Sequence, residues 1–508
     1  MMAHAVPFPS RALAEHRGLA FWMKRTLEEV AELRANATED TLHDLRVALR
    51  RCRSVASTMA EIDPHPDWEE MRDGARELFR ALGKWRDTEV MEEWLKELHA
   101  EEDLRKRLVL ISLAATEETV RKKALNSAGR FDAKRWSELM HSLQSRMRLV
   151  PIDGDAARCL ALERLEEAKE LHRRAMRTEK DKPWHALRIG VKRFRYTMEA
   201  LMPEAHAECG DSLKRVQDVL GNIHDLDVLA ELLKTVPEQQ AAGSGFDWAE
   251  RIDRERHDNL QTYRQLALGN VSVWHFWEKA FRRESWQKYA KARIGATRKA
   301  MDPKPARSLA ITRIALGLWS QFRTTAVDGR FSDRTGRRVL EAAAKLSGIH
   351  APGRQRTREK SARTFLLEAP VPPGWSFAEW ERAAWTIRFQ RGAEPGSRNK
   401  RFSKLSAEQQ REILFLSGIL RLAAALQKSG VTSGSSLRVE TLPQGLLLRL
   451  VGVEDSPGNA ARFAEAKKLL ERNLGKTLLI QPDTVLTEIA KAESKIVSPQ
   501  PISIVRSN

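Results

Sequence analysis

From about Arg11 to Tyr289 apolar residues recur at every third or fourth position, with Glu, Lys, Arg, Ala and Leu between them and few β-branched runs. That period is the helical one, and the filling residues are good helix formers, so the stretch predicts a mainly α domain. Its breaks fall where Pro, Gly and Asp gather: DPHPD at 63–67, VPIDGD at 150–155, EKDKP at 179–183 and VPEQQAAGSG at 236–245. The basic, polar stretch from Lys291 to Arg307 reads as a linker. Beyond it the helical period returns to about Leu426. SLRVE and LLLRLV around TLPQG, over Leu437–Val451, then read as a β-hairpin, and LGKTLLI from Leu474 to Ile480 offers a third strand. No period survives after about Lys491. The expected organisation is a helical domain at 10–290, a linker at 291–307, a mixed domain at 308–490 and a disordered tail at 491–508.

The helical half contains a duplication. LHDLRVALRRCRS begins at Leu42 and WHALRIGVKRFRY at Trp184, in register without a gap, and about forty residues after each His a second pair follows, LGKWRDTEV from Leu82 and LGNIHDLDV from Leu220. His43, Arg46, Arg50 and Arg53 step by 3, 4 and 3, as do His185, Arg188, Lys192 and Arg195. Steps of three and four place each row on one helix face. The apolar sets Leu45, Leu49, Cys52 and Leu187, Val191, Phe194 lie on the neighbouring face, so each helix can pack while its cationic row borders the bundle interior.

A single cationic stripe is ordinarily a solvated face. Two copies, each led by a His and joined by an approximate two-fold, change that reading, because the rows can converge. Two unit charges about 8 Å apart at an effective dielectric of about 20 repel by roughly 2 kcal/mol. A multiply charged anion removes that repulsion, and guanidinium groups match phosphate oxygens bidentately, which favours a phosphate chain over one carboxylate. Asp87 and Asp225 occupy matching places after the repeated Gly, and either orient a His or Arg or cap the next helix.

Composition narrows the rest. Lys and Arg number 87 against 69 Asp and Glu, a net charge of +18, which attracts polyanions without choosing among them. Three cysteines, Cys52, Cys159 and Cys209, make no disulfide framework or zinc spacing, and no uncharged apolar run reaches membrane-spanning length. The expectation is a soluble, cytoplasmic protein without membrane insertion.

The His-x-x-Arg-x-x-x-Arg/Lys-Arg-x-Arg element of both halves, followed by Leu-Gly-x-x-x-Asp, resembles the CHAD domain, the histidine-containing α-helical domain, over about residues 10 to 290. The resemblance implies duplicated four-helix bundles around a basic groove or pore, and binding of inorganic polyphosphate. It places His43, Arg46, Arg50, Arg51, Arg53, His185, Arg188, Lys192, Arg193 and Arg195 at the anion site, with Asp87 and Asp225 in support. One departure is Arg86, where the second copy has His224.

The second half resembles the C-terminal, HD-like helical domain of the exopolyphosphatase and guanosine pentaphosphate phosphatase family, on LSGIHAPGRQRTREKSARTFLLEA, AAWTIRFQRG, LSAEQQREILFLSGILRLAAAL and SLRVETLPQGLLLRL. Where an active HD domain places His-Asp this chain has Ser347-Gly348, and Gln390 and Ala424 replace a later His and Asp. Metal chemistry needs those ligands. This half therefore reads as a degenerate scaffold or phosphate-binding module.

Other motifs lead nowhere. Of the His-Asp doublets at His43, His224 and His257, Asp44 becomes Ala186 in the second copy, and Thr41-x-x-Asp44 reads as a capping box. Gly475-Lys476-Thr477 lacks the earlier Gly of a phosphate loop, since Leu470 stands there, and Gly243-Ser-Gly245 follows no strand. Trp22, Trp85, Trp94, Trp136, Trp274 and Trp277 fall at helical apolar positions and read as core rather than base-stacking platforms. The expected function is non-catalytic polyphosphate binding, with no cofactor and no metal. Polyphosphate-metabolising enzymes are the expected partners, and polyphosphate granules the place of association. The alternatives are a phosphohydrolase acting on polyphosphate or nucleoside triphosphates, and nucleic-acid binding through backbone charge.

Overall fold

The computed structural model describes residues 18–99, 103–235, 246–325, 334–350, 357–392 and 399–483. The expected tail at 491–508, the break at 236–245 and Gly243-Ser-Gly245 lie outside them. The fold is mainly α with a small three-stranded sheet. The chain divides into two units, the first comprising 1–296 with 372–374 and the second the remainder.

The first unit runs α1 (Leu19–Ala35), α2 (Glu39–Met59), α3 (Pro66–Gly74), α4 (Arg76–Leu98), α5 (Leu104–Gly129) and α6 (Ala133–Met147). The order repeats as α7 (Asp155–Ala175), α8 (Asp181–Leu201), α9 (Pro203–Leu233), α10 (Trp248–Ala267) and α11 (Val273–Glu278), after which α12 (Trp286–Met301) begins. The copies differ at one joint: α9 is continuous where the first copy breaks into α3 and α4 at Ala75. The apolar sets on α2 and α8 are fully buried: Leu45, Leu49, Cys52, Leu187, Val191 and Phe194 all have 0% exposure. All but one of the six tryptophans read as core are buried. The exception, Trp22, is half-buried with Arg51 over its ring.

Two local readings are corrected. The cap of α2 is Thr38, whose hydroxyl accepts from the Thr41 N–H while Thr41 reaches back to the Thr38 N–H. Asp44 lies inside the helix and bonds Arg25 at 3.2 Å. The 291–307 stretch is helical except for 302–304, because α12 continues to Met301 and α13 starts at Pro305. Its Ile294, Ala296 and Met301 are buried, so its basic residues decorate helices rather than a linker.

The second unit contains α13 (Pro305–Thr325), α14 (Arg334–Leu346), α15 (Arg358–Glu368), α16 (Phe377–Arg388) and α17 (Ala407–Lys428). Then come β1 (Leu437–Leu442), β2 (Gly445–Val451), α18 (Pro457–Leu474) and β3 (Thr477–Asp483). β1 and β2 form the expected hairpin, and β3 adds to β2 in parallel, with Gly445 opposite Thr477. A Cβ at Gly445 would sit 2.4 Å from the Thr477 carbonyl oxygen, which explains the glycine. Gly475 caps α18 at φ 65°, so the Gly-Lys-Thr triplet closes a helix, whereas a phosphate loop opens one.

Candidate functional site

Two helices place the cationic rows and two more enclose them. α2 packs on α4 and α8, and α9 packs on α8 and α4, so the four close a ring. Near their C-terminal ends α2 and α8 meet where the Thr58 and Thr197 hydroxyls lie 3.3 Å apart. One residue past each buried apolar position stands a half-buried cation: Arg46 and Arg50 on α2, Arg188 and Lys192 on α8.

These four converge. Lys192 feels Arg188, Arg50 and Arg46 together, so side chains of both copies share one field. Burial, reinforced by Arg188 and Arg50 and opposed by Asp225, pushes the Lys192 ammonium down to about 7. Burial also lowers Arg46, against the pull of Asp87. One acid reaches across the repeat: Asp87 on α4 faces Arg46 of its own copy and Arg188 and Lys192 of the other, while Asp225 on α9 faces Arg188 and Lys192 of its own copy. Asp87 keeps part of its surface in solvent, yet the surrounding protein outweighs its cations and holds it above the usual carboxylate range. Asp225 is raised by burial, with Asp87 adding to the shift. Both acids sit in mid-helix, so neither caps a helix.

Cationic donors outnumber acceptors here. Arg46 Nη1, Arg50 Nε and Arg188 Nε are buried without a protein acceptor among the described residues. Gly83 explains one half of the repeated Leu-Gly: a Cβ there would lie 3.3 Å from Arg46 Nη1, so the glycine lets the guanidinium rest against α4. At Gly221, its counterpart, an added Cβ meets nothing within 4 Å among the described residues beyond its chain neighbours and its own helix backbone.

The remaining expected residues stand apart from this cluster. His43 and His185 are exposed near the starts of their helices. The His185 and His224 Nδ1 atoms lie 3.3 Å apart, and burial, with Arg188 nearby, pushes His224 down to about 4. In the first copy Arg86 takes the place of His224 and bonds Glu89 at 3.0 Å and Glu93 at 3.2 Å on its own helix. Arg51 pairs with Glu199 and lies over Trp22, on the wall of a pocket of about 210 Å³ between α1, α2, α6 and α8. Arg193 is exposed and pairs with Glu167 at 2.9 Å. Arg53 lies 4.5 Å over the Phe79 ring, and Arg195 donates to Gln217 Oε1 at 3.1 Å. Phe79 and Gln217 are themselves equivalent positions, three residues before each Leu-Gly.

Sequence reasoning missed several participants. Tyr196 lies under Arg50 at 5.3 Å, and Arg72, Arg76 and Arg80 surround Arg53. The last three are spaced four apart on consecutive helical segments, so the periodicity that exposed the two rows also marks them. The counter-ions Glu167 and Glu199 gave no such signal.

With this geometry in place, comparison with known proteins adds a class. The family described as "CHAD domain" matches residues 20–234, which include all four converging cations and both acids. That match ends within the first unit. Among solved structures, that described as "Crystal structure of the CHAD domain from the plant Ricinus communis" is 23% identical and covers 55% of this chain and 98% of its own, with a TM-score of 0.35. No curated protein matches. Among the described residues no helix is long and apolar enough to cross a membrane.

Proposed function

We propose that the first unit binds inorganic polyphosphate in the ring of α2, α4, α8 and α9 without transforming it. One observation carries the reading: Arg46, Arg50, Arg188 and Lys192, from two copies of one motif, meet with buried guanidinium nitrogens that have no acceptor among the described residues. Cations held together at a cost in repulsion suit a ligand with closely spaced anionic oxygens, and a linear phosphate polymer presents them at every unit. Asp87 and Asp225 keep the cations oriented before the polymer arrives. The CHAD match is in keeping with this ligand class. Among the described residues no three His, Cys, Asp or Glu side chains gather into a metal-sized cluster. Enzymes of polyphosphate metabolism and polyphosphate granules are the cellular partners that follow from the reading.

The proposal extends to the second unit as a degenerate HD-like scaffold. In its support, Ser347, Gly348, Gln390 and Ala424, the positions singled out as lost ligands, line a single cavity.

The test is thermal unfolding of the full chain with long-chain polyphosphate. A ligand at about a thousand times its Kd stabilises by roughly 4 kcal/mol. The combined substitution Arg46→Glu, Arg50→Glu, Arg188→Glu, Lys192→Glu is expected to remove that rise, and an unchanged rise defeats the assignment. Release of phosphate from polyphosphate or nucleoside triphosphates reveals a hydrolase instead. Displacement of polyphosphate by DNA or RNA at equal phosphate concentration reveals a general backbone binder.

A further inference from the structure

The cavity of the second unit has about 270 Å³ of space, at roughly 30 Å³ per water enough for a compact ligand. Its polar lining is uneven. Lys304, Arg307 and Arg391 bring three cations, and Asp302 is the single carboxylate. Lys304 and Arg307 stand at the start of the 21-residue α13, whose first-turn N–H groups add positive potential. Arg307 spends its Nε on Gln427 at 3.1 Å.

Asp302 is the informative residue. It is 5% exposed; its Oδ1 accepts the Lys304 N–H at 2.9 Å, while its Oδ2 is buried with no donor among the described residues. Asp302 and Ser308 also crowd Gly348: a Cβ there would lie 2.1 Å from Asp302 Oδ2 and 2.2 Å from Ser308 Oγ. The space that a side chain at 348 would take is therefore filled by a carboxylate and a hydroxyl drawn from the segment that opens α13. A buried carboxylate oxygen without a donor is destabilising, and a ligand that supplies a donor relieves it.

We propose that this cavity takes a compact phosphoryl anion that carries its own proton, of which orthophosphate is the smallest example. Lys304, Arg307 and Arg391 meet the charged oxygens, and the phosphoryl hydroxyl donates to Asp302. Phosphate monoesters have a second ionisation near pH 6, so a protonated form is available close to neutrality. Sulfate at the same pH, and the interior units of a phosphate polymer, offer only acceptors to Asp302. The cavity is thus built for a free phosphate or the end of a monoester rather than for the middle of a polymer. This rests on the second unit's residues alone and not on the polyphosphate reading of the first.

Isothermal titration of the full chain at constant ionic strength tests it, with inorganic phosphate, sulfate and ribose 5-phosphate as probes. Phosphate is expected to bind saturably and sulfate at least about tenfold more weakly, tenfold being about 1.4 kcal/mol. Stronger binding of ribose 5-phosphate than of phosphate assigns the site to an ester, and the reverse assigns it to the free ion. Lys304→Ala, at an exposed position, and Ala424→Leu, which fills the cavity, should each abolish this binding while long-chain polyphosphate still binds. Should Ala424→Leu fail to fold, Lys304→Ala alone decides. Phosphate binding unchanged by Lys304→Ala, or sulfate binding equal to phosphate, overturns the proposal. Loss of polyphosphate binding by the first-unit variants, with phosphate binding kept, separates the two sites.

Discussion

The two copies of the repeat build the same ladder from different materials. At the third rung the first copy has Arg50 and the second Lys192, and at the place after the Gly the first has Arg86 and the second His224. Guanidinium stays charged at any physiological pH, whereas the buried Lys192 ammonium is pushed down to about 7 and His224 to about 4. The first copy therefore presents fixed charge, and the second presents charge that depends on what fills the ring. Repetition of a motif preserved the placement of the cations but not their response to protons.

The widest test of this comparison removes the shared field. Reversing all four converging cations to Glu should weaken polyphosphate by more than about a thousandfold, since charged hydrogen bonds contribute roughly 1.5 to 3 kcal/mol each. Fluorescence titration with labelled polymer checks it, and a loss below tenfold means that the ligand lies elsewhere.

A smaller effect separates the copies. Polyanion binding favours charged Lys192, so binding takes up a proton wherever the empty protein holds the amine neutral, above its value of about 7. Affinity should then fall as pH rises from 7 to 9, by up to about tenfold per pH unit. In the empty protein the sign is opposite: the folded Lys192 value lies below its unfolded one, so the unfolded chain binds more protons in that window and this group adds stability as pH rises from 7 toward 10. Lys192→Arg should flatten both slopes, and Arg50→Lys should not restore them. A wild-type affinity independent of pH over this range contradicts the assignment of Lys192 to the site.

The glycines offer a finer contrast. Gly221→Ala meets open space in mid-helix and should stabilise by about 0.5–1 kcal/mol with unchanged affinity. Gly83→Ala presses on Arg46 and should lower affinity a few-fold; equal behaviour of the two variants in melting and titration would show that the contact at 3.3 Å does not matter. Smallest of all, Arg193→Ala removes an exposed, Glu167-paired charge and should change affinity by less than about threefold, because exposed pairs contribute roughly 0–1 kcal/mol.

Much of this was legible in the chain. The 3-4-3 spacing placed each row one residue from a buried apolar face, and the duplication argued that the rows meet. Periodicity is local chemistry, and a helix converts spacing directly into a face. Spacing cannot say how far along a helix the convergence extends. His43, Arg51, Arg53, Arg193 and Arg195 share the motif with Arg46 and Arg50, yet the packing of α4 and α9 against α2 and α8 leaves only the middle rungs inside the ring. Arg51 and Arg193 face glutamates whose positions no motif announces, and Asp87, which the sequence left between a cap and an orienting acid, lies inside α4 facing cations of both copies.

In the second unit Ser347, Gly348, Gln390 and Ala424, which the family resemblance singled out, line one cavity. Asp302 and Ser308, which crowd Gly348, come from some forty residues earlier, in a stretch that composition marked as a linker. Helix period, charge, duplication and glycine placement are properties of neighbouring residues, and the sequence alone determined them. Which cations lose their water, which acids they face and what fills the room beside Gly348 depend on segments that approach only after folding, because desolvation and electrostatic reach are set by distance in space and not along the chain.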